Sequence, residues 1–365
     1  MEQNNFFKTS KLFIILLCLM SGLFSAQNNA TLFFQSIVPL DVMKVDASSG
    51  NLYVAFGGAT QGIKKLNTSG TDLGNFGTQY PGDLATDANG NIYYCVSFGT
   101  DIKKVDSSNN TTLIYTALMP KGVAFDNNKL YYSEQGTNTI NVIDLSGSTP
   151  YTPTAIFTEA NSRPSRLYIA GGYLYAVLDG MTPGTSKIIK IDLSNVNATP
   201  IVLANNLMGV KGVVTDGSNI YYAALNTNTN KSVIYRIHSS VTDIIDDGTN
   251  GNTAGIGIDS AGNIYYTSSN FTTSVRAIYK ISAASLATTN VAKKTFAIFP
   301  NPAKDFVTIS NLSKGAEVAL FDVTGKLLYQ TKSLGVTLTI NTSSYKNGMY
   351  LVKVDGQAIK LLISK

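Results

Sequence analysis

The string "DANGNIYY" at residues 87–94 returns almost unchanged as "DSAGNIYY" at residues 259–266. An aliphatic residue followed by tyrosine marks six such units, and the successive tyrosines lie 40, 38, 44, 46 and 44 residues apart. They are Tyr53, Tyr93, Tyr131, Tyr175, Tyr221 and Tyr265. A period near 40 residues is typical of a propeller blade of four strands. We therefore predict an all-β chain with a six-bladed β-propeller over residues 27–285.

The repeated string is predicted to be the hairpin turn between the first two strands of a blade. Aspartate at the first turn position accepts hydrogen bonds from its own backbone, and the glycine three residues later tolerates a positive φ. The Ile-Tyr-Tyr run that follows is apolar at consecutive positions, as expected for a strand covered on both faces by neighbouring blades. This structural interpretation is favoured over a calcium loop, because Asp/Gly turns are common.

The last unit lacks a convincing fourth strand after "AIYKIS" at residues 277–282. The segment "TLFFQSIVP" at residues 31–39 resembles "TLIYTALMP" at residues 112–120, which is a predicted fourth strand followed by the entry to the next blade. A propeller has to close its ring to remove the free edges of its sheets. We therefore predict that residues 31–37 pair with residues 277–282.

The blade pattern "PxGΦxxDxxGNΦYY…ΦxKΦD" resembles six-bladed propellers of the NHL-repeat and gluconolactonase/regucalcin-like kind, over roughly residues 30–285. That resemblance implies the fold and leaves the activity open, because such propellers include lactonases, calcium-dependent phosphotriesterases and non-catalytic binding modules. The metal-dependent members hold a Glu, Asn and Asp set in the central channel. No local motif in this sequence maps onto that set.

The N-terminus is predicted to be a signal peptide of residues 1–26. Lys8 and Lys11 precede an apolar run, and small residues end it, so cleavage is expected between Ala26 and Gln27. No transmembrane segment is expected in the mature chain, because a spanning helix needs about 20 apolar residues. Removal of this segment leaves Cys95 as the only cysteine, so the mature chain can form no internal disulfide. Cys95 is predicted to be a small buried hydrophobic residue.

The C-terminus carries three blocks in order, "FAIFPNPAKDFVTISN", "VALFDVTGKLLYQ" and "NGMYLVKVDGQAIKLLISK". They closely resemble the C-terminal sorting domain of cargo for the type IX (Por) secretion system. We expect a small Ig-like β-sandwich at residues 296–365, behind a linker at residues 286–295. The resemblance implies binding to the type IX export machinery and a location outside the cell or on the outer-membrane surface of a Gram-negative bacterium, via the periplasm. The residues of its motif are Pro300, Asn301, Pro302, Gly325, Gly348 and Lys365.

Charge is divided unevenly along the chain. The net charge is +5, but residues 27–292 hold 16 basic and 18 acidic residues, whereas residues 296–365 hold 8 basic and 4 acidic residues. The predicted propeller therefore has no basic footprint for a polyanion, and no nucleic-acid partner is expected.

The residue types exclude most catalytic constellations. His238 is the only histidine, and no P-loop, GxSxG or CxxC motif is present. At the entry to the inner strands, Asp41, Asp83 and Arg166 are candidates to hold a cation or a polar ligand at the channel mouth. The alternative, which we favour, is that the Asp residues with Gly122, Gly212 and Gly255 merely shape a turn and that Arg166 is solvated. The segment "DDGTNGN" at residues 246–252 is rich in oxygen ligands but does not have the spacing of an EF-hand, so we expect a flexible loop.

Two functions stay open. The favoured one is a non-catalytic exported propeller that binds a protein, a glycan or a small molecule, with no cofactor. The alternative is a metal-dependent hydrolase with its site in the channel, such as a lactonase, for which calcium is the candidate metal.

Overall fold

The computed structural model describes residues 30–286, 296–312, 314–354 and 357–365. They divide into two compact units, one of residues 30–286 and one of residues 296–365. The predicted signal peptide, its cleavage site at Ala26 and Gln27, and residues 287–295 of the predicted linker lie outside the described residues.

The first unit consists of six four-stranded antiparallel sheets, as predicted for a six-bladed propeller. Strand β1, Ala30–Ser36, comes before the first blade. Blade 1 contains β2 (Leu40–Val45), β3 (Leu52–Phe56), β4 (Gly62–Leu66) and β5 (Asp72–Phe76). Blade 2 contains β6 (Pro81–Thr86), β7 (Ile92–Val96), β8 (Asp101–Val105) and β9 (Thr111–Thr116). Blade 3 contains β10 (Pro120–Asp126), β11 (Lys129–Glu134), β12 (Thr139–Asp144) and β13 (Thr154–Thr158).

The other three blades follow the same order. Blade 4 contains β14 (Ser162–Ala170), β15 (Tyr173–Gly180), β16 (Ser186–Asp192) and β17 (Ile201–Leu207). Blade 5 contains β18 (Gly212–Thr215), β19 (Ile220–Asn226), β20 (Lys231–His238) and β21 (Val241–Asp246). Blade 6 contains β22 (Asn252–Ile258), β23 (Ile264–Asn270) and β24 (Val275–Ile281), and β1 is its fourth strand.

Strand β1 closes the ring, which confirms the predicted pairing of the two ends. It runs antiparallel to β24, with Ala30 opposite Ile281 and Ser36 opposite Arg276. The ring of Phe33 packs edge-on against Tyr265, with 5.0 Å between the centroids. The outer edge of blade 6 is therefore covered by the start of the chain.

Hydrogen bonds at the turn explain the repeated string. Asp259 Oδ1 accepts from the backbone N–H groups of Ala261 and Asn263, at 3.0 and 2.8 Å. Its Oδ2 accepts from the Asn263 amide at 2.7 Å and from the Tyr265 hydroxyl at 3.0 Å. Asp87 makes the corresponding bonds in blade 2. The Asp, Asn and Tyr of the string therefore form one polar unit, which fits the predicted structural role of the repeat.

The core lies between the blades rather than at the centre of the ring. Every residue of β3 is buried, and Ile92 to Cys95 of β7 are buried as well. One cluster joins Tyr93 and Cys95 of blade 2 to Val123 and Leu130 of blade 3. Cys95 is fully buried, and burial raises the pKa of its thiol to about 12. The prediction of a buried cysteine is confirmed.

Two segments differ from the sequence-based expectation. A helical turn, α1, at Ala283–Leu286 follows blade 6, and Leu286 is buried in the propeller unit, where its carbonyl accepts from Arg236 at 2.7 Å. The loop at residues 246–252, expected to be flexible, is instead packed. Asp246 is 1% exposed and accepts from the Tyr266 hydroxyl at 2.8 Å, and Asn250 donates to the same hydroxyl.

The C-terminal unit is a β-sandwich of two antiparallel sheets. The three-stranded sheet has the order β25 (Ala297–Phe299), β26 (Phe306–Ser310), β29 (Thr337–Asn341). The four-stranded sheet has the order β28 (Leu327–Lys332), β27 (Glu317–Asp322), β30 (Gly348–Val354), β31 (Gln357–Ile363). Alternate residues of both sheets, such as Val307, Val318 and Val352, form the core between them.

Candidate functional site

The connections of each blade lie on the two faces of the ring. We call the mouth face the one that carries the loops between second and third strands and the connections from one blade to the next. The opposite face carries the hairpins between first and second strands and between third and fourth strands. Asp83 and Arg166 lie near the mouth and line the same central cavity, together with Lys44 and Lys211. The predicted proximity of Asp83 and Arg166 is therefore present in the structure.

Asp83 is buried and connects three blades. Its Oδ2 accepts from the backbone N–H of Val123 in blade 3 at 3.2 Å and of Leu167 in blade 4 at 3.4 Å. Burial raises the pKa of this carboxyl, and the nearby Arg166 guanidinium opposes the rise. The carboxylate is thus held in place by backbone donors of neighbouring blades.

Arg166 extends from blade 4 across the channel mouth toward blades 2 and 3. Its Nη1 donates to the carbonyl of Gly82 in blade 2 and, at 3.5 Å, to the carbonyl of Lys121 in blade 3. Arg166 therefore starts in blade 4 and binds the backbone of the same blades that Asp83 connects. Together the two side chains hold blades 2, 3 and 4 against one another, so the expectation that Arg166 is solvated is wrong.

Asp41 does not line this cavity. Its Oδ2 accepts from the Tyr80 hydroxyl at 2.7 Å, and its backbone carbonyl accepts from the Thr267 hydroxyl at 2.8 Å. Asp41 is therefore not part of the lining of the cavity that the other two candidates share. Asp179, at the end of β15, was missed by the sequence reasoning: it is electrostatically coupled to Arg166, Lys211 and Lys121, and burial raises its pKa.

The mouth glycines are sites of close approach between blades. A Cβ on Gly122 would lie 1.7 Å from the carbonyl oxygen of Ser165, and one on Gly255 would lie 2.8 Å from that of Asp41. A Cβ on Gly212 would lie 2.8 Å from the Ile256 side chain. These positions need glycine because the inner strands of adjacent blades nearly touch there.

Little open space is left in the channel near the mouth. The cavity between Asp83 and Arg166 measures about 30 Å³, which is roughly the volume of one water molecule. Cavities of about 400 and 330 Å³ open on the opposite face and share Lys44. The Lys44 ammonium lies 4.4 Å from the ring centroid of Tyr168, and burial lowers its pKa to about 8. Lys44 therefore lies between the narrow and the wide part of the channel.

Carboxylates that line the opposite face are used by their own turns. Asp87 and Asp259 accept hydrogen bonds at both carboxylate oxygens, and Asp216 does the same in blade 5. Within residues 30–286 and the described parts of the C-terminal unit, no group of three or more His, Cys, Asp or Glu side chains is arranged to hold a metal ion.

Several exposed apolar side chains lie in loops of the mouth face. Phe98 is fully exposed in the loop after β7, and Leu118 and Met119 are 54% and 58% exposed in the connection from blade 2 to blade 3. Lys121 lies beside them, with its ammonium 5.5 Å from the ring centroid of Phe98. Further exposed apolar residues in mouth loops are Ile37, Met181 and Phe271. In the described hairpins of the opposite face, Ile201 and Val241, each the first residue of a fourth strand, are 58% and 55% exposed.

Backbone geometry marks the same two loops. Phe98 and Met119 both have a φ of 59°, which is uncommon for a bulky residue and costs of order 1 kcal/mol or more at each position. We call the set Phe98, Leu118, Met119 and Lys121 the blade 2–3 patch. Sequence reasoning missed it because these residues follow no repeat period. Their position in mouth loops was the one available signal.

The motif residues of the C-terminal unit join its first strand to its last. Asn301, between Pro300 and Pro302, donates through Nδ2 to the Lys360 carbonyl at 2.9 Å and accepts through Oδ1 from the Leu362 N–H at 2.8 Å. The Lys365 N–H donates to Asn347 at 2.9 Å, and its ammonium donates to the Ser343 carbonyl. Gly325 has a φ of 83° in the turn between β27 and β28, and Gly348 begins β30.

Comparison with known proteins identifies this unit. Residues 297–364 match the family model of the secretion system C-terminal sorting domain. Residues 297–364 are a type IX sorting domain. The protein is therefore exported, either into the medium or to the cell surface. No helix in the described part of the chain is long and apolar enough to cross a membrane.

A sequence relative is β-agarase A of Zobellia galactanivorans, with 27% identity over 85 residues. The match covers 23% of this chain and 16% of the agarase, so the chain spans about a sixth of that relative. The match is therefore too short to relate the rest of the two proteins.

The solved structures to which the chain is similar are distant in sequence. Hydrazine synthase of Kuenenia stuttgartiensis has a TM-score of 0.50 and 14% identity, covering 94% of this chain and 98% of that chain. PorZ, a surface component of the type IX secretion system of Porphyromonas gingivalis, has a TM-score of 0.42 and 14% identity, covering 88% of this chain and 51% of PorZ. Regucalcin of Agrobacterium tumefaciens has a TM-score of 0.43 and 13% identity, covering 70% and 74%. At such identities the likeness concerns the fold alone.

Proposed function

We propose that this exported propeller is a non-catalytic binding module that binds a protein partner through the blade 2–3 patch. The observation that carries the proposal is the clustering of Phe98, Leu118 and Met119, all more than half exposed, on one face of a propeller whose other face is lined by Asp, Asn, Ser and Gly turns. Exposed apolar clusters of this kind mark interaction sites.

The chemistry of the patch favours a protein over a glycan. Sugars are bound by aromatic faces together with a dense set of hydrogen-bonding groups, whereas Leu118 and Met119 offer flexible aliphatic surface. Methionine in particular adapts to the irregular surfaces of protein partners. Lys121 beside Phe98 supplies a positive charge at the edge, which favours a partner with an acidic residue at its rim.

At its Asp83–Arg166 end, the channel supports hydrolysis less well than the blade 2–3 patch supports binding. Ligand pockets usually measure about 300–1,000 Å³, and the cavity between Asp83 and Arg166 measures about 30 Å³. The polar groups there are used for contacts between blades. A lactone would have to displace those contacts to reach either side chain.

The test compares binding of three purified proteins to the outer-membrane fraction of the source bacterium, by a concentration series on an immobilised surface. The double variant Phe98→Ser, Met119→Ser should bind at least about 10-fold more weakly than wild type, since anchor residues of an interface contribute about 2 kcal/mol or more each. The control Val241→Ser removes an apolar residue that is 55% exposed on the opposite face and should bind as wild type does. Equal binding by all three proteins contradicts the proposal.

A further inference from the structure

The two outer faces of the sorting domain differ in chemistry. On the three-stranded sheet, Phe299 of β25 and Phe306 of β26 are each 52% exposed. The other outward positions of β26 and β29 are polar, and the hydroxyls of Thr308 and Thr339 lie 3.2 Å apart across the strand pair. Thr337 and Asn341 are exposed on the same face. This is the usual composition for a sheet face in contact with water.

On the four-stranded sheet, five outward positions are apolar, and they lie among outward polar residues such as Lys353 and Lys360. Phe321 lies opposite Leu327 on one side and opposite Leu351 on the other, and Met349 lies opposite Leu362. Leu327 is 46% exposed, and Leu351, Met349 and Leu362 are 38–39% exposed. We call these five residues the apolar outer face. It extends across all four strands of the sheet.

The fold of the domain does not require this composition. The inward residues of the same strands, including Leu320, Val352 and Leu361, are fully buried and form the core. The outward residues alternate with them and add little to that core. Polar residues would serve the fold equally well at these positions, as Thr308 and Thr339 do on the other sheet. An apolar set that leaves large side chains in water points to a binding partner.

Two lysines, on β30 and β31, lie beside the apolar outer face. Lys360 of β31 lies opposite Leu351, and Lys353 of β30 lies opposite Ala319. A partner that covers this face therefore presents an apolar surface with acidic residues along its border.

We propose that the apolar outer face is the surface through which the type IX export machinery binds the sorting domain. The family match makes this domain a signal that the machinery has to recognise, and the apolar outer face is the part of its surface built for contact rather than for solvent. The proposal goes beyond the binding function of the propeller and does not depend on it. The rival occupant is a second copy of the same chain.

The experiment measures export of the full-length chain from the source bacterium. The variant combines Met349→Thr, Leu351→Thr and Leu362→Thr, because threonine keeps the preference for strands and removes apolar surface. We expect the extracellular and surface fraction to fall at least about 10-fold, with folded protein accumulating in the periplasm. Deletion of residues 296–365 gives the baseline of no export. The matched control is Phe306→Thr, which removes a 52% exposed aromatic from the other sheet and should leave export within about twofold of wild type.

Two further measurements decide the remaining outcomes. The melting temperature of each purified variant shows whether the domain still folds, and if the triple variant has lost its fold, the single variants Leu351→Thr and Leu362→Thr are compared in its place. Sedimentation of the wild-type protein at micromolar concentration tests for self-association through the same face. The proposal is overturned if folded variants are exported like wild type, or if the triple and the Phe306→Thr variants lose export to the same extent. It is overturned as well if wild type forms dimers that the triple variant abolishes while export stays normal.

Discussion

Replacement of Gly122 by alanine tests whether the mouth of the channel is built for contact between blades. The new Cβ would lie 1.7 Å from the Ser165 carbonyl oxygen and 3.0 Å from Ser133 Oγ. Carbon and oxygen in contact are normally about 3.3–3.6 Å apart, so blades 3 and 4 would have to separate by roughly 1.5 Å or more. Overpacking of this kind costs about 1–3 kcal/mol.

The separation would also break a short relay of hydrogen bonds. The Gly122 N–H donates to Ser133 Oγ at 2.7 Å, and Ser133 Oγ donates to the Ser165 carbonyl at 2.8 Å. Each such bond contributes about 1 kcal/mol. The expected loss is therefore about 3–5 kcal/mol, a large part of the roughly 5–15 kcal/mol by which a typical domain is stable.

Denaturant unfolding of Gly122→Ala, followed by tyrosine fluorescence and circular dichroism, measures this loss. The matched control is Gly147→Ala, where the new Cβ meets one atom, the Asp144 carbonyl oxygen, at an ordinary 3.5 Å. That control should stay within about 0.5 kcal/mol of wild type. If Gly122→Ala unfolds within about 1 kcal/mol of wild type, the blades are not held as closely as described, and the reasoning on the mouth glycines is wrong.

Three further outcomes are expected. Burial raises the pKa of Asp83, so wild type loses stability as the pH rises from the unfolded pKa of about 3.9 through the folded pKa. In urea unfolding, Asp83→Asn should therefore gain stability relative to wild type between pH 4 and pH 7.5. Parallel pH profiles of the two proteins would contradict this. Tyr265→Phe removes the hydroxyl that donates to Asp259 at 3.0 Å and should cost about 1 kcal/mol in denaturant unfolding, with a smaller cost for Tyr53→Phe at the same blade position. Deletion of residues 27–36 should uncover the edge of β24 and cause association visible in sedimentation, whereas a monomer with an unchanged melting temperature would refute the role of β1 in closure.

The sequence predicts those features that repeat or that depend on local chemistry. The Asp, Gly, Asn and Tyr of the string "DSAGNIYY" make their hydrogen bonds within seven residues, so their pattern is visible in the chain itself. The pairing of β1 with β24 was predictable for a related reason, since the fourth strand absent from blade 6 has its counterpart at the start of the chain.

The candidate site was less predictable because its contacts are long-range. Arg166 and Gly82 are 84 residues apart, and the direction of the arginine across three blades has no local signature. Asp41 stands at the predicted strand entry, but its carboxylate binds Tyr80 in the next blade. Phe98 is a single apolar residue in a polar loop, and only the fold shows that it lies near Lys121 of the next blade.

Closure by the first strand also determines when the propeller can finish folding during synthesis. Thr31 bonds to Lys280, a partner 249 residues later. At a synthesis rate of about 5–20 residues per second, the N-terminal strand waits roughly 12–50 seconds before its partner exists. During that time β1 has no partner strand, and the ring cannot close. The propeller is therefore completed only after residue 281 has been made.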